Sequence, residues 1–183
     1  MTKYLIRRWR AHVSSTAVGA SLRRRGAWTY LPLFLLRNYS PGDEEESSPE
    51  DNTTLLESAI RSGSSYLVEQ VLSTLRPRVS SRALALATQW NDRGRLLIKL
   101  LGLDFVDEDE GGIDAPFSPL KITPLHAAVM GGKIEAVRIL LQHGADPTKS
   151  DSQGRDARTL SGLVANGQKI LRVLDEHMNE KAT

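Results

Sequence analysis

Four histidines, His12, His126, His143 and His177, are the side chains of this 183-residue chain best suited to move protons or bind a metal near neutral pH. No two of them stand one helical turn apart, so none has a metal-ligand partner at short range. Cysteine is absent, which removes thiol catalysis, disulfides and thiolate zinc sites. Carboxylates crowd one stretch, Asp107, Glu108, Asp109, Glu110 and Asp114, between Phe105 and Phe117. That run could suit a divalent cation, but its spacing departs from calcium loops, whose ligands sit at alternate positions. A solvated turn is the plainer reading; as a docking loop, Phe105, Asp107, Asp109 and Phe117 would meet a basic partner segment. No glycine-rich phosphate loop or nucleophile elbow is present. The expectation is no catalytic residue, no metal, no cofactor and no small-molecule substrate.

The elements that would position these groups follow from hydrophobic spacing. Ile134, Val137, Leu140 and Leu141 form one apolar stripe of helical period; Leu67, Val71 and Leu72, then Leu96, Leu97, Leu100 and Leu101, do the same. Breaks follow at Arg76-Pro77-Arg78, Gly102 and Gly144. Short helices in series predict an all-α array. Charge is uneven: residues 1–42 hold eight basic residues and no acid, leaving 16 basic against 22 acidic residues in 43–183. A uniformly basic nucleic-acid-binding domain is therefore not expected. The polar run 43–51 reads as an acidic linker.

An internal period confirms the array. Thr123-Pro124-Leu125-His126-Ala127-Ala128 is followed by Gly132, the apolar stripe, and Gly144-Ala145-Asp146. Stepping 33 residues from Val137 and Leu141 reaches Ile170 and Leu174. This segment resembles an ankyrin repeat. The strongest repeat spans 122–150 and a worn last one 151–177, with a tail at 178–183. Upstream, Thr54 to Gly63 aligns with Thr123 to Gly132, and Ser81 to Leu101 holds a divergent unit. The resemblance implies an ankyrin-type helical solenoid of about four helix pairs over 52–177, behind a basic, disordered or partly helical N-terminal extension.

Physical roles follow for the motif. Thr123 caps a helix N-terminus and Pro124 takes its first position. Leu125 is buried, and His126 bonds back to Thr123. The resemblance further implies that His126 ties neighbouring repeats together. Gly144 ends the second helix in a left-handed conformation; Gly132, Asp146 and Gly154 complete the pattern. His143 and His177 fall near helix C-termini, where a cation suits the dipole. The family binds protein partners through turn tips and first helices. Carried over, those positions are Ser150, Ser152, Gln153 and Arg155 at the tip, Met130 and Gly131 on the first helix, and Leu163 and Val164 in the last repeat.

The expected function is a non-catalytic adaptor binding another protein of unknown identity inside the cell, in cytoplasm or nucleus. The alternative is a small regulatory or inhibitory subunit; a third reading makes the chain part of a longer protein. Residues 1–42 leave three readings open: a mitochondrial targeting segment, a basic interfacial helix contacting a membrane, or a plain tail. Arg23-Arg24-Arg25 is a short match to a nuclear-import patch.

Overall fold

The computed structural model describes residues 49–75, 77–103 and 112–181. The extension 1–42, residues 43–48 of the linker, and Phe105, Asp107 and Asp109 lie outside them. The chain divides into two compact units, residues 1–78 and 79–183, and the array expected over 52–177 spans that division.

In the first unit α1 (Pro49–Ser62) packs on α2 (Ser65–Leu75). Leu55, Leu56, Ala59 and Ile60 of α1 meet Leu67, Val68, Val71 and Leu75 of α2 in the buried layer. The positions i, i+1, i+4 and i+5 of α1 make one apolar stripe of the helical kind. Alignment with Thr123 would start this helix at Thr54. Instead α1 begins five residues earlier, inside the expected linker, and Thr54 lies mid-helix. Proline at the first helical position starts a helix there as well as a threonine cap would.

Among the described residues the second unit holds three helix pairs. They are α3 (Ser81–Thr88) with α4 (Arg95–Leu101), α5 (Pro124–Met130) with α6 (Ile134–Gln142), and α7 (Ala157–Ser161) with α8 (Gly167–Lys181). The first helices pack in a row, α3 on α5 on α7, and the second helices in a parallel row, α4 on α6 on α8. Between the rows lie Leu84, Leu97, Leu100, Leu125, Leu140, Leu141 and Leu160, all essentially without solvent contact. Small residues let the rows close: Ala83, Ala87, Ala128 and Ala157 are fully or almost fully buried. Gly167 is a starker case, since a Cβ there would strike the Ser161 carbonyl.

Each first helix starts with a side-chain cap. Ser80 accepts from the Ala83 amide, Thr123 from His126 and Asp156 from Thr159. These caps stand 43 and then 33 positions apart, so about ten extra residues separate the first two repeats. The acidic stretch between Phe105 and Phe117, expected to be a solvated turn, falls in that insertion. Its second half is built into the fold. A 3₁₀ turn, Gly112–Asp114, packs on α3 and α5, and Ala115 is completely buried. Both Asp114 carboxylate oxygens accept from the Asp146 amide, at 3.0 and 3.1 Å. Removing 106–116 would therefore take structural contacts with it.

Replacing Asp114 by Ala leaves the Asp146 N–H without that acceptor. A loss of about 1–3 kcal/mol is expected, the usual cost of orphaning a partly buried donor. Urea unfolding of the variant beside the parent chain measures it.

Candidate partner-binding site

The motif histidine is a hub of hydrogen bonds. His126 lies at the third position of α5, almost wholly buried. Its Nδ1 accepts from the Thr123 amide at 3.1 Å and sits 3.1 Å from the Thr123 hydroxyl, while Thr123 Oγ1 accepts from the His126 amide at 3.4 Å. On the other side Nε2 lies 3.0 Å from the Lys149 carbonyl, which can only accept. The proton therefore sits on Nε2 and Nδ1 is the acceptor, the neutral tautomer. Burial pushes the imidazole pKa down, against the upward pull of the Lys149 carbonyl and of Asp151, Asp156 and Asp114. This ring joins the start of one repeat to the turn that leads into the next. It is committed to structure and has no free nitrogen for chemistry.

The turn that receives it is stiffened by Asp151. Burial raises the Asp151 pKa, but hydrogen bonds from the Arg155 amide and guanidinium and the Gln153 amide outweigh it and hold the carboxyl at about 2. The bonds are 2.8 Å from Gln153 N and 3.0 Å from Arg155 N to Oδ1, and 2.8 Å from Arg155 Nε to Oδ2. Arg155 Nη2 stands 2.7 Å from the same Oδ2. Gly154 completes the turn at φ +74°, where an L side chain is strained. Arg155, expected to reach a partner, is thus spent inside its own turn. Ser150, Ser152 and Gln153 are exposed, and the Ser152 amide donates to the Leu120 carbonyl at 2.9 Å, joining adjacent tips.

On the first-helix row the outward side chains are Met130, 52% exposed, and Leu163, 70% exposed. They occupy the same place relative to the caps Thr123 and Asp156, 33 residues apart. Both Leu163 and the half-buried Val164 lie beyond the end of α7, on the following turn and not on the helix. Gly131 is the exposed C-cap of α5; a Cβ there would strike the Gln89 amide, whose Nε2 donates to the Ala127 carbonyl at 3.2 Å. Phe117 is half-buried, its amide bonded to the Ile122 carbonyl at 3.0 Å.

Three contributors, Leu120, Lys121 and Gln89, are not among the residues expected from sequence. Leu120, 55% exposed, and Lys121, with φ +53°, cap the tip beside Ser152. Gln89 belongs to a rung series linking the inter-helix loops, with Lys133 Nζ donating to Asn91 Oδ1 at 3.1 Å and Asn166 Nδ2 to the Gly132 carbonyl at 3.3 Å. The Ser-Pro-Leu-Lys order of 118–121 does signal an exposed turn; nothing in the sequence marks Gln89.

His143 Nδ1 lies 2.8 Å from the Ile139 carbonyl at the end of α6 and donates to it. His177 Nε2 is buried with no hydrogen-bond partner among the described residues, in a small cleft with Arg138, Leu141 and Val173. Among the described residues, no three His, Asp or Glu side chains converge on a metal-sized point. No described helix is long and apolar enough to cross a membrane.

The ankyrin repeat family model matches residues 121–152, the segment from the tip at Lys121 through α5 and α6 to the tip at Ser152. The chain carries an ankyrin repeat. Zygote-specific protein 3 of Chlamydomonas reinhardtii is 31% identical over 159 residues, 85% of this chain and 39% of that protein. The human tRNA endonuclease ANKZF1 is 26% identical over 133 residues, 73% of this chain and 18% of that protein. Its mouse counterpart is 30% identical over 142 residues, 77% and 17%. The chain thus spans well under half the length of these relatives. The ankyrin repeat is a protein-interaction fold, and its motif bonds here, Thr123 to His126 and His126 to Lys149, lie within the matched segment.

The pH signs follow from linkage. His126 has its folded pKa below its ordinary value, so its contribution is full above pH ~6.5 and is lost as pH falls. Asp151 and the cap Asp156, the latter lowered by its hydrogen bonds from the Thr159 side chain and amide, contribute above pH ~4 and lose it on further acidification. Asp114 acts oppositely, since burial raises its pKa and acid relieves the charge. In thermal melts from pH 8 to 3, His126→Gln is expected to flatten the decline that begins below pH ~6.5. His126→Ala should lose about 2–4 kcal/mol at pH 8 through the broken bonds and the void left behind.

Proposed function

We propose that this chain is a docking module with no chemistry of its own, gripping a protein partner through its first-helix row and turn tips. The observation that carries the reading is the pair Met130 and Leu163, large apolar side chains left to solvent at equivalent places in neighbouring repeats. Buried neighbours fix both positions, and neither side chain is needed by the core. A partner that covers them gains apolar burial at little ordering cost. Lys121, Ser150, Ser152 and Gln153 supply the polar rim, with the exposed apolar Leu120 among them. In relatives whose printed name is tRNA endonuclease, the shared segment covers less than a fifth of the protein. We read that segment as their docking portion, with the named activity residing in the unmatched remainder. Asp107 and Asp109 with Phe105, outside the described residues, are in this reading a further segment for a basic partner.

The full chain with Met130→Glu and Leu163→Glu is expected to keep its melting behaviour, within about 0.5 kcal/mol for exposed sites. Proximity labelling in cells should then lose neighbours that the parent chain marks. An unchanged neighbour set would sink the proposal, and so would tRNA cleavage by the chain alone.

The acid-free, basic segment 1–42 supports a second element of the reading: that it addresses the module to a mitochondrion or membrane surface, in place of the cytoplasm or nucleus where the chain would otherwise reside. Tagged full chain and a version lacking 1–42 should distribute differently in cells. The same distribution for both removes this element and leaves the docking surface untouched.

A further inference from the structure

Four Ser-Pro or Thr-Pro pairs occur in the chain: Ser40-Pro41, Ser48-Pro49, Ser118-Pro119 and Thr123-Pro124. A proline after a hydroxyl residue has a fixed φ and no N–H. A kinase whose substrate channel offers no acceptor for that N–H selects such pairs. Kinases of this kind that also carry an acidic subsite prefer a cation three residues beyond the hydroxyl. The residues at that place are Asp43, Asp51, Lys121 and His126. The aspartates repel an acidic subsite. Thr123 is buried, its hydroxyl engaged as the helix cap, and both Pro124 and His126 are buried behind it. Ser118-Pro119-Leu120-Lys121 alone satisfies sequence and access together.

The fold presents this tetrapeptide as a tight turn at the tip leading into α5. The Lys121 amide donates to the Ser118 carbonyl at 2.9 Å. Pro119, Leu120 and Lys121 are exposed, and Ser118 is half-buried. The Ser118 Oγ accepts from the Ile122 amide at 3.4 Å, the long end of the hydrogen-bond range, so little holds the hydroxyl inward. Lys121 occupies the left-handed region at φ +53°, and the extended form a kinase binds relieves that conformation. The tip can therefore open locally while α5 and its cap stay formed.

We infer that Ser118 is the acceptor site of a proline-directed serine kinase with an acidic subsite for Lys121. In the reaction Ser118 Oγ attacks the γ-phosphorus of the kinase's Mg²⁺-ATP. The bond from that phosphorus to the β,γ-bridging oxygen breaks, ADP leaves, and the hydroxyl proton passes to the kinase's carboxylate base. The product carries close to two negative charges where the Ile122 amide already points. It also places them two residues from Leu120, whose carbonyl binds the neighbouring tip through Ser152. The charge thus appears on the rim of the docking surface. The acceptor assignment does not need that surface to be correct.

The test incubates the folded full chain with a purified cyclin-dependent kinase and Mg²⁺-ATP and locates phosphate by tandem mass spectrometry. A synthetic peptide of residues 114–125 serves as the measure of kinase activity. Phosphate is expected on Ser118, with none there in Ser118→Ala. Lys121→Ala should slow incorporation about 10-fold, the worth of one charge-assisted contact. The inference is overturned if the peptide is modified and Ser118 of the folded chain is not. It is equally overturned if Ser40 or Ser48 is modified faster than Ser118, or if Lys121→Ala changes nothing.

Discussion

A buried imidazole shared between two repeats is the constraint around which the second unit is organised. His126 accepts from the cap residue of its own helix and donates to the Lys149 carbonyl of the following turn. The bond at Nδ1 demands the neutral ring, and burial favours it. One side chain thereby fixes the start of α5, the path of the chain after α6 and the spacing to α7. The turn it reaches is in turn locked by Asp151 and Arg155. A repeat cannot bury its apolar face alone, so stability resides in such neighbour-to-neighbour links and in the leucine layer between the rows.

The same economy separates structural from available side chains. Polar residues in the motif are consumed internally, as Thr123, His126, Asp151, Arg155 and Asp156 show. Left over along the first-helix row and the tips are Met130, Leu163, Leu120 and the polar tip residues. These are what the fold does not use, and in a scaffold of repeats that surplus is the material from which recognition is built. The ion pairs that join α8 to its neighbours, Arg158 with Asp175 and Arg138 with Glu176, lie on the exposed outer surface and contribute little by comparison.

The insertion between the first and second repeats of this unit shows how a fold absorbs extra chain. Ten added residues would break the 33-residue register if they were passive. Asp114 and Ala115 instead reconnect the path. Ala115 fills a buried site, and Asp114 takes the amide at Asp146, the position that opens the next turn. The register of the tips is restored before Thr123, which is why α5 starts with an intact cap despite the excursion.

The sequence by itself determined the helical class, the 33-residue step from α6 to α8, and the roles of Thr123, Pro124 and His126. All of these rest on local spacing or on hydrogen bonds within one turn, which a linear pattern records. It could not show that Arg155 serves Asp151, that Gln89 leaves no room for a Cβ at Gly131, that Gly167 must admit the Ser161 carbonyl, or that Asp114 is a strut within an apparently solvated acidic run. Each depends on a partner supplied by packing, some of them tens of residues away. It also misplaced the start of α1, because a proline at the first helical position and an aligned threonine both signal a beginning. Tertiary structure decided which side chains were consumed and which were left to meet a partner, since only the folded neighbour shows whether a polar group is already satisfied.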